Sequence, residues 1–112
     1  MKNYRISCAL LFLVFSGVVF AEQAAQKAVL VTGASSGSGR IIAETLAARG
    51  YYVYAGARKQ ADLDALNEIE NIHAIRLDVT IQSEIDGAVD TVRNEGKGLY
   101  GLVNNAGVAV LG

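Results

Sequence analysis

A doubly wound α/β fold built on a parallel sheet of about four strands is predicted by two features of the sequence. Short β-branched runs alternate with longer stretches of helical spacing, and a loop of glycines and serines stands between the first run and the first helical stretch. The alternation takes in residues 27–112 without a repeat, a low-complexity segment or a linker, so a single boundary falls near residue 26.

The elements follow in order. "AVLVT" (28–32) is too short and too uniformly apolar for an amphipathic helix and reads as a buried strand. In "RIIAETLAAR" (40–49), Ile41, Ile42, Thr45, Leu46 and Ala48 recur at helical spacing, and Gly50 supplies the stop. "YVYAGA" (52–57) is a second strand. "ADLDALNEIE" (61–70) carries Leu63, Leu66 and Ile69 as an apolar stripe with acids opposite, which predicts a second helix. "IHAIRLDV" (72–79) alternates into a third strand, ending at Asp78. Ile81, Ile85, Ala88, Val89 and Val92 predict a helix over 81–95, ended by Gly96 and Gly98, and "LYGLVNNAG" (99–107) makes a fourth strand.

In a sheet of this kind ligands bind beyond the carboxyl ends of the strands, which is where residues 32–39 lie. Gly33 permits a tight exit from the strand, Gly37 lets the backbone approach a phosphate, and Gly39 lets the next helix pack close to the sheet. The first turn of that helix offers unpaired N–H groups and a positive dipole end to a pyrophosphate, and Ser35, Ser36 and Ser38 add hydroxyl donors. Glycine and serine also make flexible loops, but the position of this one, after a strand and opening a helix, is what the Rossmann-type dinucleotide fingerprint requires. No Gly-Lys-Ser/Thr follows, so it is not a Walker loop. The second strand ends "AGARK", with Ala57 where an acid would hold the ribose 2′-hydroxyl of NAD, then Arg58 and Lys59. Two cations without a carboxylate favour NADP over NAD; the alternative is that the pair is only a solvated turn.

The remaining features set bounds. The formal net charge is −1 with no basic stripe, which leaves nucleic-acid binding without an electrostatic source. Residues 1–21 read as a signal peptide or an N-terminal membrane anchor. Lys2 and Arg5 precede an apolar run, residues 6–21, whose polar members are Ser7 and Ser16; at 16 residues it falls below the roughly 18 to 20 wanted for a span. The expected destination is the secretory pathway or periplasm, or the membrane itself, and the cytosol if residues 1–21 are a mis-assigned start. The single cysteine, Cys8, lies in that segment, so the domain has neither a disulfide framework nor a thiol nucleophile. His73, the single histidine, reads as an ordinary strand residue; with no second histidine and no cysteine nearby, no metal site is expected.

"TGASSGSG" (32–39), "DVT" (78–80) and "NNAG" (104–107), in this order and spacing, resemble the short-chain dehydrogenase/reductase family from about Lys27 to the end of the chain. The resemblance implies an NADP-preferring oxidoreductase that moves hydride between the cofactor and a carbonyl or alcohol carbon. It assigns cofactor phosphates to Gly33, Ser35, Ser36, Gly37, Ser38 and Gly39, adenine to Asp78 and Val79, the 2′-phosphate to Arg58, and the ribose side together with bracing of the sheet to Asn105, Ala106 and Gly107. It further implies an incomplete Rossmann-type sheet ordered 3-2-1-4, with the fourth strand an apolar edge.

Two departures from the family matter. Ser38 stands where isoleucine or leucine is usual. The family's catalytic serine and its tyrosine, with a lysine four residues on, lie downstream of the asparagine motif, and no Tyr-x-x-x-Lys occurs in these 112 residues. Residues 27–112 are therefore expected to be the N-terminal half of a dinucleotide-binding domain, inactive by themselves. The expected partners are the dinucleotide and, in a full-length parent, a small carbonyl or alcohol substrate and further copies of itself as a homo-oligomer; membrane association would run through residues 6–21. The alternative is a non-catalytic nucleotide-binding or interaction module using its open sheet edge. "NNAG" and Arg58 weigh against an S-adenosylmethionine-dependent transferase on a similar sheet.

Overall fold

The computed structural model describes residues 25–106; the expectations for residues 1–21 and for Gly107 lie outside that range. Among the described residues seven elements alternate: β1 (Ala28–Thr32), α1 (Gly37–Ala48), β2 (Tyr52–Ala57), α2 (Gln60–Asn67), β3 (Ile72–Arg76), α3 (Gln82–Glu95) and β4 (Gly101–Asn104). The strands form one sheet in the order β3-β2-β1-β4, every neighbouring pair parallel, as expected.

Parallel strands joined by helical crossovers must cover both faces of the sheet, and the period-2 alternation of each strand divides the core accordingly. On one face Val29, Val31, Val53 and Ala55 pack with Ala43 and Ala47 of α1 and with Leu63 and Leu66 of α2. On the other, Ala28, Tyr54 and Ile75 pack with Ala88 of α3, flanked by Leu30, Ile85 and Val92. Leu66 and Val53 are completely buried. Cutting Leu66 back to alanine would cost about 2–5 kcal/mol, the usual range for a cavity in a closed core.

Element ends differ from the expectations for local reasons. Helix α1 starts at Gly37 rather than at residue 40, because Ser36 is its extended N-cap and the glycines form its first turn. Apolar spacing cannot detect a turn that has no apolar residues. Strand β3 stops at Arg76, not at Asp78: the Asp78 carboxylate accepts from the Thr80 N–H (2.9 Å) and hydroxyl (2.6 Å), closing a turn in place of the ladder. Helix α2 ends at Asn67, whose side-chain carbonyl takes the Ala74 N–H at 2.7 Å. Strand β4 is confined to 101–104 because the N–H groups of Asn105 and Ala106 turn to the Thr32 hydroxyl.

Candidate functional site

The carboxyl ends of β1 and β4 are tied by a knot of hydrogen bonds centred on Thr32. This threonine is buried, and its hydroxyl donates to Asn104 Oδ1 (2.9 Å) while accepting from the N–H groups of Asn105 (2.9 Å) and Ala106 (3.0 Å). Asn105 in turn reaches the glycine loop, giving its amide Nδ2–H to the Gly33 carbonyl (3.4 Å) and accepting the Ser38 hydroxyl (3.0 Å). Thr32 received no role from sequence reasoning. The available signal was a β-branched hydroxyl residue at the last strand position before a glycine.

The glycines differ in what they do. A Cβ on Gly39 would lie 2.0 Å from the Gly33 carbonyl oxygen and 2.6 Å from Asn105 Nδ2, so only glycine lets α1 start this close to the strand exit. Gly37 has φ +60°, and among the described residues nothing lies within 4 Å of where a Cβ would stand. The first turn of α1 holds no acidic residue and Ser36 makes no side-chain cap, which leaves its N–H groups and the positive helix end available to an anion.

A cleft of about 530 Å³ opens over these strand ends. Of the residues singled out in the sequence, Gly33, Ser35, Ser36, Arg58, Asp78, Val79, Asn105 and Ala106 line it. Gly37, Ser38 and Gly39 instead build the helical turn beside it, with Gly39 buried and Ser38 directed to Asn105. A smaller recess of about 260 Å³ between Ser35, Ser36, Arg58, Lys59 and Asp62 continues the cleft past the tip of β2. Hydrogen bonds from the Thr80 hydroxyl and N–H, with help from the Arg58 charge, hold the Asp78 carboxyl below its ordinary range. Asp78 is therefore an anion at neutral pH, able to accept and not to donate. The cleft and its recess thus bring together the start of α1 at Ser35 and Ser36, the cations Arg58 and Lys59, and the carboxylates Asp62 and Asp78. Among the described residues no group of histidine, cysteine and acidic side chains could hold a metal ion.

A second cluster lies away from the cleft, on the sheet face covered by α3. Glu95 accepts from the Tyr52 hydroxyl (3.0 Å) and pairs with His73 Nδ1 (2.6 Å). Burial, then the hydrogen bond and charge of Glu95, push Tyr52 up to about 12. His73 is on β3 as expected, but its partnership with α3 was not foreseen.

The family model for short chain dehydrogenase matches residues 27–112. The chain is 39% identical over 103 residues to the mitochondrial D-beta-hydroxybutyrate dehydrogenase of Rattus norvegicus, covering 82% of this chain and 30% of that protein. It is 40% identical over 87 residues to the NADPH-dependent 3-dehydrocapnine reductase of Ornithobacterium rhinotracheale, covering 74% of this chain and 31% of that one. Among solved structures, an actinorhodin polyketide ketoreductase with NADPH superposes with a TM-score of 0.68 at 34% identity, over 74% of this chain and 34% of the other. A short-chain dehydrogenase from Streptomyces avermitilis gives 0.67 at 44% identity, over 74% and 31%. The chain spans about a third or less of these relatives' length. Three motifs in register, the strand order and these likenesses agree: the chain belongs to the short-chain dehydrogenase/reductase family.

Proposed function

We propose that residues 27–112 are the dinucleotide-binding half of an NADP(H)-dependent oxidoreductase acting on a carbonyl or alcohol carbon. The observation that carries this reading is the acid-free first turn of α1, whose N-cap Ser36 lines the cleft and shares its smaller recess with Arg58, Lys59 and Asp62. The pyrophosphate would take the N–H groups of Gly37, Ser38 and Gly39; the adenine side would meet Asp78 and Val79; the ribose side would meet Asn105 and Ala106. Arg58 would read the 2′-phosphate, which NAD lacks. When bound, the nicotinamide supplies the hydride. The residues of this chain hold and orient it, and the proton donor would come from a serine, tyrosine and lysine outside these 112 residues.

Two relatives support the choice of cofactor by their names, one called NADPH-dependent and one solved with NADPH. We read residues 1–21 as a signal or anchor for this domain, on the strength of Lys2, Arg5 and the apolar run that follows. Among the described residues no helix is long and apolar enough to cross a membrane.

Titration of the full-length protein with NADPH and NADH at low salt tests the reading. NADPH should bind more tightly, by a margin that narrows as salt is raised. Equal affinities would reduce Arg58 and Lys59 to a solvated turn.

A further inference from the structure

We infer that Arg76 is a positioning residue for cofactor choice: it fixes the backbone of Arg58 so that the Arg58 side chain is presented to a 2′-phosphate. Arg76 ends β3, beside the tip of β2, and its guanidinium forks. Nη1 donates to the Arg58 carbonyl at 2.6 Å and Nη2 to Gln60 Oε1 at 2.8 Å. One side chain thereby clamps both ends of the Arg58–Gln60 link between β2 and α2, the stretch that carries both cations of the recess. The Arg58 carbonyl lies beyond the paired segment of β2, where the ladder no longer fixes it; the register between β2 and β3 ends at the pair Ala57 and Arg76. Arg58 is exposed, so without the clamp a long side chain on a loose turn would lose orientational freedom only on binding.

A lysine could not replace this arrangement. Its ammonium is a point charge on a flexible stem, whereas the planar fork reaches two acceptors at fixed separation. Arg76 also brings a third positive charge near the recess, so its charge and its fork have to be separated experimentally.

This inference rests on the NADP reading above, and the two fail differently. In the full-length protein, Kd for NADPH and NADH is measured for the unmodified chain and for Arg76→Gln, Arg76→Lys, Arg58→Ala and the Arg58→Ala/Arg76→Gln double variant, with melting curves as a check on folding. Arg76→Gln should weaken NADPH about three- to tenfold, as expected for coupled neighbours, and leave NADH unchanged. Arg76→Lys should resemble Arg76→Gln, and Arg76→Gln should have no further effect once Arg58 is alanine. An unmodified protein without NADPH preference overturns the NADP reading and this inference with it. A preference that Arg76→Gln leaves undiminished, or equal weakening of both cofactors, overturns the inference alone. An undiminished preference in Arg76→Lys, or additivity with Arg58→Ala, would mean that Arg76 acts through its charge and not through Arg58. Should Arg76→Gln melt early, Gln60→Ala, which removes the other acceptor of the fork, is expected to cause a smaller loss in the same direction.

Discussion

The Ser38 hydroxyl donates to Asn105 Oδ1 at 3.0 Å across 67 residues of sequence, joining the first turn of α1 to the exit of β4. Ser38 therefore spends its hydroxyl on the protein and not on a phosphate. Where the family usually has an apolar contact, this chain has a polar clamp, and the turn that presents its N–H groups is held from the side by an amide that also grips Gly33.

Ser38→Ala removes that bond and should cost about 0.5–1.5 kcal/mol, nearer the lower figure at an exposed position. The effect should appear as about a two- to tenfold loss of affinity for both NADPH and NADH, since both carry the pyrophosphate. In an Asn105→Ala background the same substitution should do almost nothing. Calorimetric titration of the four proteins of this cycle checks it, and additive losses would show that the hydroxyl acts by itself.

The alternation of strands and helices was legible because each element carries its own period, and the glycine positions were legible because backbone geometry at a strand-to-helix turn demands them. Strand order came from resemblance, since nothing in "AVLVT" states that it lies between β2 and β4. Contacts between distant residues were not legible at all. Thr32 with Asn105, Arg76 with Arg58, and Tyr52 with Glu95 join residues whose local patterns are complete without each other. Element ends were misread where a polar side chain closed the turn, as for the strand before Asp78 and the helix ending at Asn67, because hydrophobic periodicity does not register such closures.

The Tyr52–Glu95 bond predicts an alkaline limit to stability. The neutral hydroxyl donates to a carboxylate, while the phenolate would be repelled by it, so the folded state holds the Tyr52 proton more tightly than the unfolded chain does. A pKa raised from 10.0 to about 12 gives stability that is whole below pH 10 and is lost as pH rises through 12. Melting temperatures between pH 9 and pH 12 should fall more steeply for the unmodified protein than for Tyr52→Phe. Parallel curves would mean that Tyr52 titrates alike folded and unfolded.

Tyr54 offers the opposite experiment. Its ring is completely buried, its hydroxyl has no partner at hydrogen-bond distance among the described residues although Glu95 lies near, and burial followed by the Glu95 carboxylate raises its pKa. Leaving a buried hydroxyl unpaired costs about 1–3 kcal/mol, so Tyr54→Phe should raise the melting temperature. A fall would show that the hydroxyl finds a partner in solution.

The groove between α3 and β4 bears on how the 112-residue polypeptide behaves when expressed by itself. It encloses about 870 Å³ and is lined by Leu30, Ile85, Val92 and Leu99, with Val89 46% and Leu102 59% exposed at its rim. Beside it β4 pairs with β1 alone among the described strands, so an apolar face and an unpaired edge coincide. Self-association and binding of a fluorescent apolar dye are expected, with Leu102→Lys reducing both. Sedimentation as a monomer that melts cooperatively without binding the dye would contradict this.

Cofactor choice can be turned over at the tip of β2. Arg58 reaching a 2′-phosphate would make charge-assisted hydrogen bonds worth roughly 1.5–3 kcal/mol before screening, or about ten- to a hundredfold in affinity. Ala57 is the last residue of β2 and is buried beside the cleft, so a carboxylate placed there would start from a fixed backbone. Ala57→Asp with Arg58→Ala should reverse the preference in the full-length protein: the new carboxylate accepts from the 2′-hydroxyl of NAD and repels the phosphate of NADP. Lys59 remains in the recess and should keep some attraction for phosphate, so the reversal is expected to be incomplete at low salt and to sharpen as salt screens the lysine. Arg58→Ala by itself should bring NADPH down toward NADH without improving NADH. If the double variant binds NADH no better than the unmodified protein does, the carboxylate is not reaching the ribose, and the adenosine end lies elsewhere in the cleft.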